Sequence, residues 1–390
     1  MLLLRNPTLR LLFAGQALFW SCSIIGITLT ALVGARLAPW PVLATLPLAL
    51  LVLGYLLAVQ PLSLFMQRRG RRPGLVGGAL AGVAGGLVAA AGTVLGSFAL
   101  FCAGVACIGV YQASAAYYRY AALEAVDARH RGRAAACVVG GGVCAAVLAP
   151  GLALWSRDLL ATPFAGAYLA IAALAALGAL TMSRLRETQA APPPPAGRGA
   201  WRGLLARPAL RAAVIMTAIG QGLMVLAMNA TPLAMDGCGL SAASAAQVIQ
   251  WHVLGMFLPA FAAGPLVDRW GSRRVALAGA AALAASALLA ASGEAFAQFL
   301  ASSFLLGVGW NLMVIAGTTL LGETHAPEER GQAQAVMELA NGGSSALMAF
   351  ASGALLAGLG WTAINLAMLP LLALAVGLLA ATRHRAVPQS

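Results

Sequence analysis

Two neighbouring apolar stretches place soft and nitrogenous donors four residues apart: Met224 with Met228 in "GLMVLAMNATPLAMDGCG", and His252 with Met256 in "VIQWHVLGMF". A spacing of four puts both members of a pair on one face of a helix. Thioether and imidazole ligands together select soft, thiophilic ions, Cu(I) first, whereas Mg, Ca or Mn would require carboxylate oxygens. Met216 and Met235 fall within the same sector of roughly 120° as Met224 and Met228 on a helical wheel. They extend the pair into a ladder of thioethers. Cys238 follows at the end of that stretch, where it either receives or reduces a metal ion or is an inert loop cysteine. Methionine is also a common filler of irregular gaps in cores. His252 is the only one of the four histidines that lies inside an apolar run, where an ionisable side chain is a functional candidate. The residues by themselves leave coordination and packing both open.

The elements that carry these residues are membrane spans. Hydrophobic residues make up 61% of the 390-residue chain and charged residues 9%, against about 25% charged in soluble domains. Apolar runs long enough to cross a bilayer, roughly 20 residues each, number twelve: 9–34, 41–66, 73–95, 98–122, 134–155, 160–183, 209–235, 243–267, 273–293, 297–321, 332–356 and 361–382. Counting inward along antiparallel seventh and eighth spans, Met228 and His252 lie roughly 10 to 14 Å deep, and Met224 and Met256 roughly 16 to 20 Å deep. This geometry predicts that the four meet.

The net charge of +13 comes from 24 arginines and no lysine. All but Arg36, Arg119 and Arg157 fall in the termini and the alternate loops on one side. By the positive-inside rule both termini and the central loop are cytoplasmic, so the charge is a topology signal and not a nucleic-acid footprint. The first apolar run outlasts a signal-peptide core and lacks a small-residue cleavage pattern, so it is expected to stay in the membrane. Five of the six cysteines fall within spans, unlike an extracellular disulfide framework. An arginine-only, Ala- and Gly-rich composition suggests a GC-rich bacterial genome.

Loop chemistry repeats. "SLFMQRRGRRPGL" from Ser63 and "GPLVDRWGSRRVAL" from Gly264 align through Gly70 and Gly271, and "EAVDARHRG" from Glu124 aligns with "ETHAPEERG" from Glu323. The chain therefore divides into six-helix bundles over 1–183 and 209–390, joined by a Pro-rich linker over 184–208. Here it resembles the major facilitator superfamily, whose loop pattern is matched by Gly264, Leu266, Asp268, Arg269, Gly271, Arg273 and Arg274. The resemblance implies an all-α fold of twelve transmembrane helices in two pseudo-repeats. It also implies that Asp268, Arg269, Gly271, Arg273 and Arg274 form a gating loop, an acidic helix end latching onto neighbouring helices across a glycine turn. The first-half copy has Gln67 in place of the aspartate, and Glu124 or Asp127 is the expected substitute partner. Polar residues concentrate on the fourth, seventh, eighth, tenth and eleventh spans: Tyr111, Tyr117 and Tyr118, Gln221, His252, Trp310 and Asn311, Glu338 and Asn341. Such groups are costly in hydrocarbon, which predicts that they face a cavity. Arg119 and Glu338 are candidates for coupling or for an interdomain ion pair.

The M-x3-M and H-x3-M pair also resembles the CcoA-like copper importers of bacteria, which supply copper for haem-copper oxidase assembly. That likeness implies that Met224, Met228, His252 and Met256 bind copper. The chain would then be a monomeric inner-membrane importer whose partners are the copper ion, as transported substrate, and the lipid bilayer, with no organic cofactor. The alternative is an organic-solute carrier, either a riboflavin-type importer or a drug–proton antiporter. No nucleophile, base and orienter set and no phosphate-binding glycine loop points to an enzyme.

Overall fold

Backbone polar groups inside a bilayer find no water, so the apolar runs satisfy them by forming helices. The computed structural model describes residues 5–40, 43–186 and 200–382. Those residues form helices α1 (Pro7–Leu37), α2 (Leu46–Arg69), α3 (Arg71–Val94), α4 (Phe98–Ala115), α5 (Tyr118–Glu124), α6 (Arg131–Val139), α7 (Gly142–Arg157) and α8 (Ala165–Ser183). They continue with α9 (Ala200–Ala206), α10 (Pro208–Gly237), α11 (Ala242–Phe257), α12 (Ala260–Trp270), α13 (Ser272–Ala291), α14 (Phe296–Gly322), α15 (Arg330–Leu366) and α16 (Met368–Ala381). No strand occurs among the described residues, and the protein is an all-α, multi-pass membrane protein. Most of the predicted linker, 187–199, lies outside the described residues, as do Arg198, Arg383 and Arg385.

Eleven segments of the described chain are long and apolar enough to cross a membrane, against the twelve expected. The difference lies in α15, whose 37 residues run through Gly360 at φ 78° and ψ 169°. That left-handed residue breaks the helix between the eleventh and twelfth predicted spans. After the break, 361–366 lead into α16, and together they make the twelfth apolar segment. Three other spans stay continuous but loosen into a short turn: between α4 and α5 at residues 116–117, between α6 and α7 at the glycines 140–141, and between α11 and α12 at Leu258 and Pro259.

Helix starts follow local chemistry. Asn6 accepts from the Thr8 and Leu9 amides ahead of Pro7 at the first turn of α1, and Ser241 accepts from the Ser244 amide at the start of α11. The loop repeat is realised in the backbone. Gly70 (φ 93°) joins α2 to α3 and Gly271 (φ 85°) joins α12 to α13, a conformation a Cβ would strain. The second repeat is equally literal: 3-10 turns at Ala128–His130 and Pro327–Glu329 each lead directly into a helix, at Arg131 and at Arg330.

The chain forms two compact units, Met1–Ala125 with Gly141–Pro194, and Val126–Gly140 with Pro195–Ser390. In the first, α3 packs against α4 and α8, and α1 against α7 and α8. Its core is rich in tyrosine. Tyr111, Tyr117 and Tyr118 are fully buried, and the Tyr117 hydroxyl donates to the Val59 carbonyl at 2.7 Å. All three rings are core residues, contrary to the expectation that they face a cavity; for Tyr117 the reason is that a phenol that reaches a backbone carbonyl is stable among apolar neighbours. In the second unit α10 packs on α15 and α14, α11 on α14, α13 on α14, and α12 on α6.

Candidate functional site

The predicted donors sit on α10 and α11. Met216, Met224 and Met235 are buried and Met228 half-buried on α10, while His252 (2% exposed) and Met256 are buried on α11. The imidazole is tied to α14: its Nδ1 lies 2.8 Å from the Ser303 carbonyl oxygen. A carbonyl only accepts, so Nδ1 carries the proton and Nε2 presents a lone pair. Nε2 is buried and has no hydrogen-bond partner among the described residues. Below it, Asn311 Nδ2 donates to the Met256 carbonyl at 2.6 Å. A Cβ built on Gly307 of α14 would lie 2.5 Å from the His252 carbonyl oxygen and 2.6 Å from the Met256 amide. The face of α11 that carries H-x3-M is thus pressed against α14, and its ring bond is to the tenth predicted span, not the seventh. Cys238 is exposed at the end of α10, its thiol 3.3 Å from Glu294 Oε2.

A different set of side chains does join α10 to other helices. Trp310 Nε1 on α14 donates to Gln221 Oε1 on α10 at 2.6 Å, and Gln221 Nε2 donates to Ser345 Oγ on α15 at 3.1 Å. An indole N–H is a donor only, so it fixes which end of the Gln221 amide is oxygen. Gln221 and Ser345 are half-buried and Trp310 is buried, stacked edge-on against Phe257. One turn before Ser345 on α15, Asn341 is buried and its Oδ1 has no hydrogen-bond partner among the described residues. Each of the bonded three lies near the midpoint of its helix. Gln221, Trp310 and Asn341 were legible as polar residues in apolar spans; Ser345 was not, because serine is ordinary in helix packing.

The residues expected to form a gating loop divide among several contacts. Asp268 accepts from the Gly132 amide at 2.8 Å and the Arg133 amide at 3.3 Å, and Arg133 Nε lies 3.5 Å from its second oxygen. His130 supplies no side-chain cap to α6, so the carboxylate caps that helix from α12. Close approach makes the reach possible: a Cβ on Gly264 would lie 2.7 Å from the Arg133 Cα, and one on Gly132 would lie 2.7 Å from Asp268 Oδ1. Arg273 donates to the carbonyls of Thr382 at 2.6 Å and Ala380 at 2.8 Å, at the C-terminal end of α16. Arg269 and Arg274 are exposed, flanking Gly271. In the first unit the missing aspartate is replaced as expected by Glu124, whose carboxylate pairs with Arg71 (Arg71 Nε to Oε2, 3.1 Å). Arg119 is half-buried over the Tyr120 ring at 5.1 Å, and Glu338 is buried on α15.

Helical spans of this length, a repeated glycine-turn loop and neutral polar groups at mid-helix define a polytopic membrane carrier. The family model described as "Major Facilitator Superfamily" matches residues 227–390. The riboflavin transporter RfnT of Brucella anthropi is 37% identical over 368 residues, covering 93% of this chain and 92% of that protein. The uncharacterized MFS-type transporter YddS of Bacillus subtilis is 29% identical over 357 residues, covering 86% and 81%. The structure of the human organic anion transporter MFSD10 superposes with a TM-score of 0.78 at 15% identity, covering 96% of this chain and 99% of that one, a likeness of fold. The chain belongs to the major facilitator superfamily.

The expectation of copper import is overturned by these findings. A relative this similar along nearly its whole length is a riboflavin transporter, and the likeness to CcoA-like importers rested on four residues. The backbone of α11 at His252 and Met256 packs on α14, and the His252 ring is bonded there through Nδ1 alone. Methionines at a spacing of four on α10 are what a close-packed helix surface also selects.

Proposed function

We propose that this protein is a secondary transporter of a neutral organic solute of the riboflavin type, working by alternating access in a bacterial cytoplasmic membrane with both termini inside. The observation that carries this reading is the 37% identity with a riboflavin transporter over 93% of the chain. Two features of the chain support it. Arginine asymmetry orients the spans, and the mid-membrane polar groups joined on α10, α14 and α15 are uncharged, which suits a solute without net charge. The copper ion, the oxidase-assembly role and a dedicated metal site are not part of this reading.

Uptake of radiolabelled riboflavin by a riboflavin-auxotrophic bacterium expressing the chain tests it. Saturable accumulation, and growth on riboflavin concentrations too low for the empty strain, are expected. Membrane-inserted protein that gives neither would refute the assignment.

A further inference from the structure

We propose that Gln221, Ser345 and Asn341 recognise the imide edge of the substrate, a ring N–H flanked by carbonyls, with Trp310 as the residue that positions Gln221. The assignment rests on the functional reading above, since it is the flavin ring that carries such an edge.

The direction of each hydrogen bond leads to this chemistry. Trp310 donates to Gln221 Oε1, so the Gln221 amide faces Ser345 with its NH₂ group. One of those two protons goes to Ser345 Oγ; the second is surplus. Because Ser345 accepts from Gln221, its own hydroxyl proton points elsewhere, and among the described residues no protein acceptor takes it. The pair therefore offers two donors, which suit carbonyl oxygens. Asn341 lies four residues earlier on the same face of α15, where its buried Oδ1 lacks a partner. A buried, unsatisfied amide oxygen costs free energy unless something donates to it. A ring N–H does so. Donors beside an acceptor are the complement of an edge that alternates C=O and N–H.

Around Gln221 and Trp310 the surroundings favour a neutral ligand. On α14 no residue is titratable, and on α10 only Arg211 and Asp236, near its two ends, carry charge. The nearest charged side chain along this face of α15 is the buried Glu338, about 10 Å nearer its start than Ser345 and about 4.5 Å, one turn, before Asn341. Gln221 and Ser345 are half-buried at mid-helix, a position where exposure to hydrocarbon is unfavourable and exposure to a hydrated substrate path is not.

The test pairs substrate and protein changes in the same uptake assay. N3-methylriboflavin lacks the imide proton. The unmodified protein is expected to handle it with a KM about 10- to 100-fold above that for riboflavin, because a site built around a donor leaves its acceptor unpaired with the analogue. Asn341→Leu is expected to raise the riboflavin KM about 10-fold and to reduce discrimination between the two compounds to less than about threefold. Gln221→Leu and the smaller change Ser345→Ala should raise KM with little effect on the N3-methyl ratio. Trp310→Phe should reproduce the Gln221 effect in weaker form. Riboflavin uptake with no discrimination against the methylated analogue, or discrimination that survives Asn341→Leu, overturns this assignment and leaves the functional reading standing. If the unmodified protein takes up no riboflavin, the functional reading falls and the imide assignment falls with it.

Discussion

Asp268 caps α6 from another helix, and removing its carboxylate measures what that contact contributes. The first amides of a helix have no partner within it, and those of Gly132 and Arg133 are taken by the two carboxylate oxygens at 2.8 and 3.3 Å. Loss of an N-cap acceptor costs about 0.5 to 2 kcal/mol, and bonds to a charged acceptor contribute about 1.5 to 3 kcal/mol. Asp268→Ala should therefore make local opening of α6 easier by about 1 to 2 kcal/mol, a rise of roughly 5- to 30-fold in the opening equilibrium. Hydrogen exchange followed by mass spectrometry on peptides covering 131–139 reads this directly. Faster exchange at the start of α6 is expected, with peptides from α3 and α8 unchanged. Asp268→Asn keeps one acceptor oxygen but not the charge, and should lie between the two.

Slower uptake with near-normal riboflavin affinity should accompany the exchange change, since the carboxylate touches backbone and not the polar cluster on α10, α14 and α15. Unchanged exchange at α6 in both variants would show that the carboxylate does not hold this helix end. A large fall in riboflavin affinity would refute the division between gating loop and substrate site.

Three further outcomes are expected. Glu124→Gln removes the carboxylate charge beside Arg71, whose side chain is 13% exposed with Glu124 at 20%; it should lower stability by about 3 kcal/mol, and adding Arg71→Gln should restore more than half of the loss in a detergent melt. The Cys238 thiol, although exposed, is pushed above its ordinary pKa by partial desolvation and then by Glu294, so less of it is thiolate near neutrality and its maleimide labelling should rise at higher pH than that of a free thiol. Glu294→Gln should move that rise to lower pH, and an identical profile in the variant would dismiss the contact. Riboflavin uptake by cells given a membrane-permeant copper chelator should match that of untreated cells; a loss reversed by copper would reopen the question of a metal.

What was legible in the sequence was whatever a single helix or a single loop encodes. Length and apolarity marked the spans, arginine placement marked their sides, and two loop motifs an offset of about 200 apart announced the repeat that Gly70 and Gly271 realise with nearly the same backbone angles. The glycine at 360 was legible only as a gap between runs, and it proves to be a break with no connecting loop. Tyr117 misled because polarity in a span does not say whether the polar atom meets water or a carbonyl such as that of Val59; Tyr111 and Tyr118 misled because their rings, mostly apolar, are buried in the core with it.

The same limit explains the soft donors. A spacing of four establishes that His252 and Met256 share a face of α11, but the identity of the helix opposite that face is a tertiary fact, and Ser303 shows it to be α14. Conversely, Gln221, Trp310 and Ser345 share no spacing at all, since they come from three helices separated by dozens of residues. Depth was the signal available for them. Each lies near the midpoint of a helix whose direction the arginines already indicate, so their levels coincide before any contact is known. For this chain, periodicity within one span fixes which residues share a face and depth fixes their level, while the helix opposite that face is fixed only by tertiary packing.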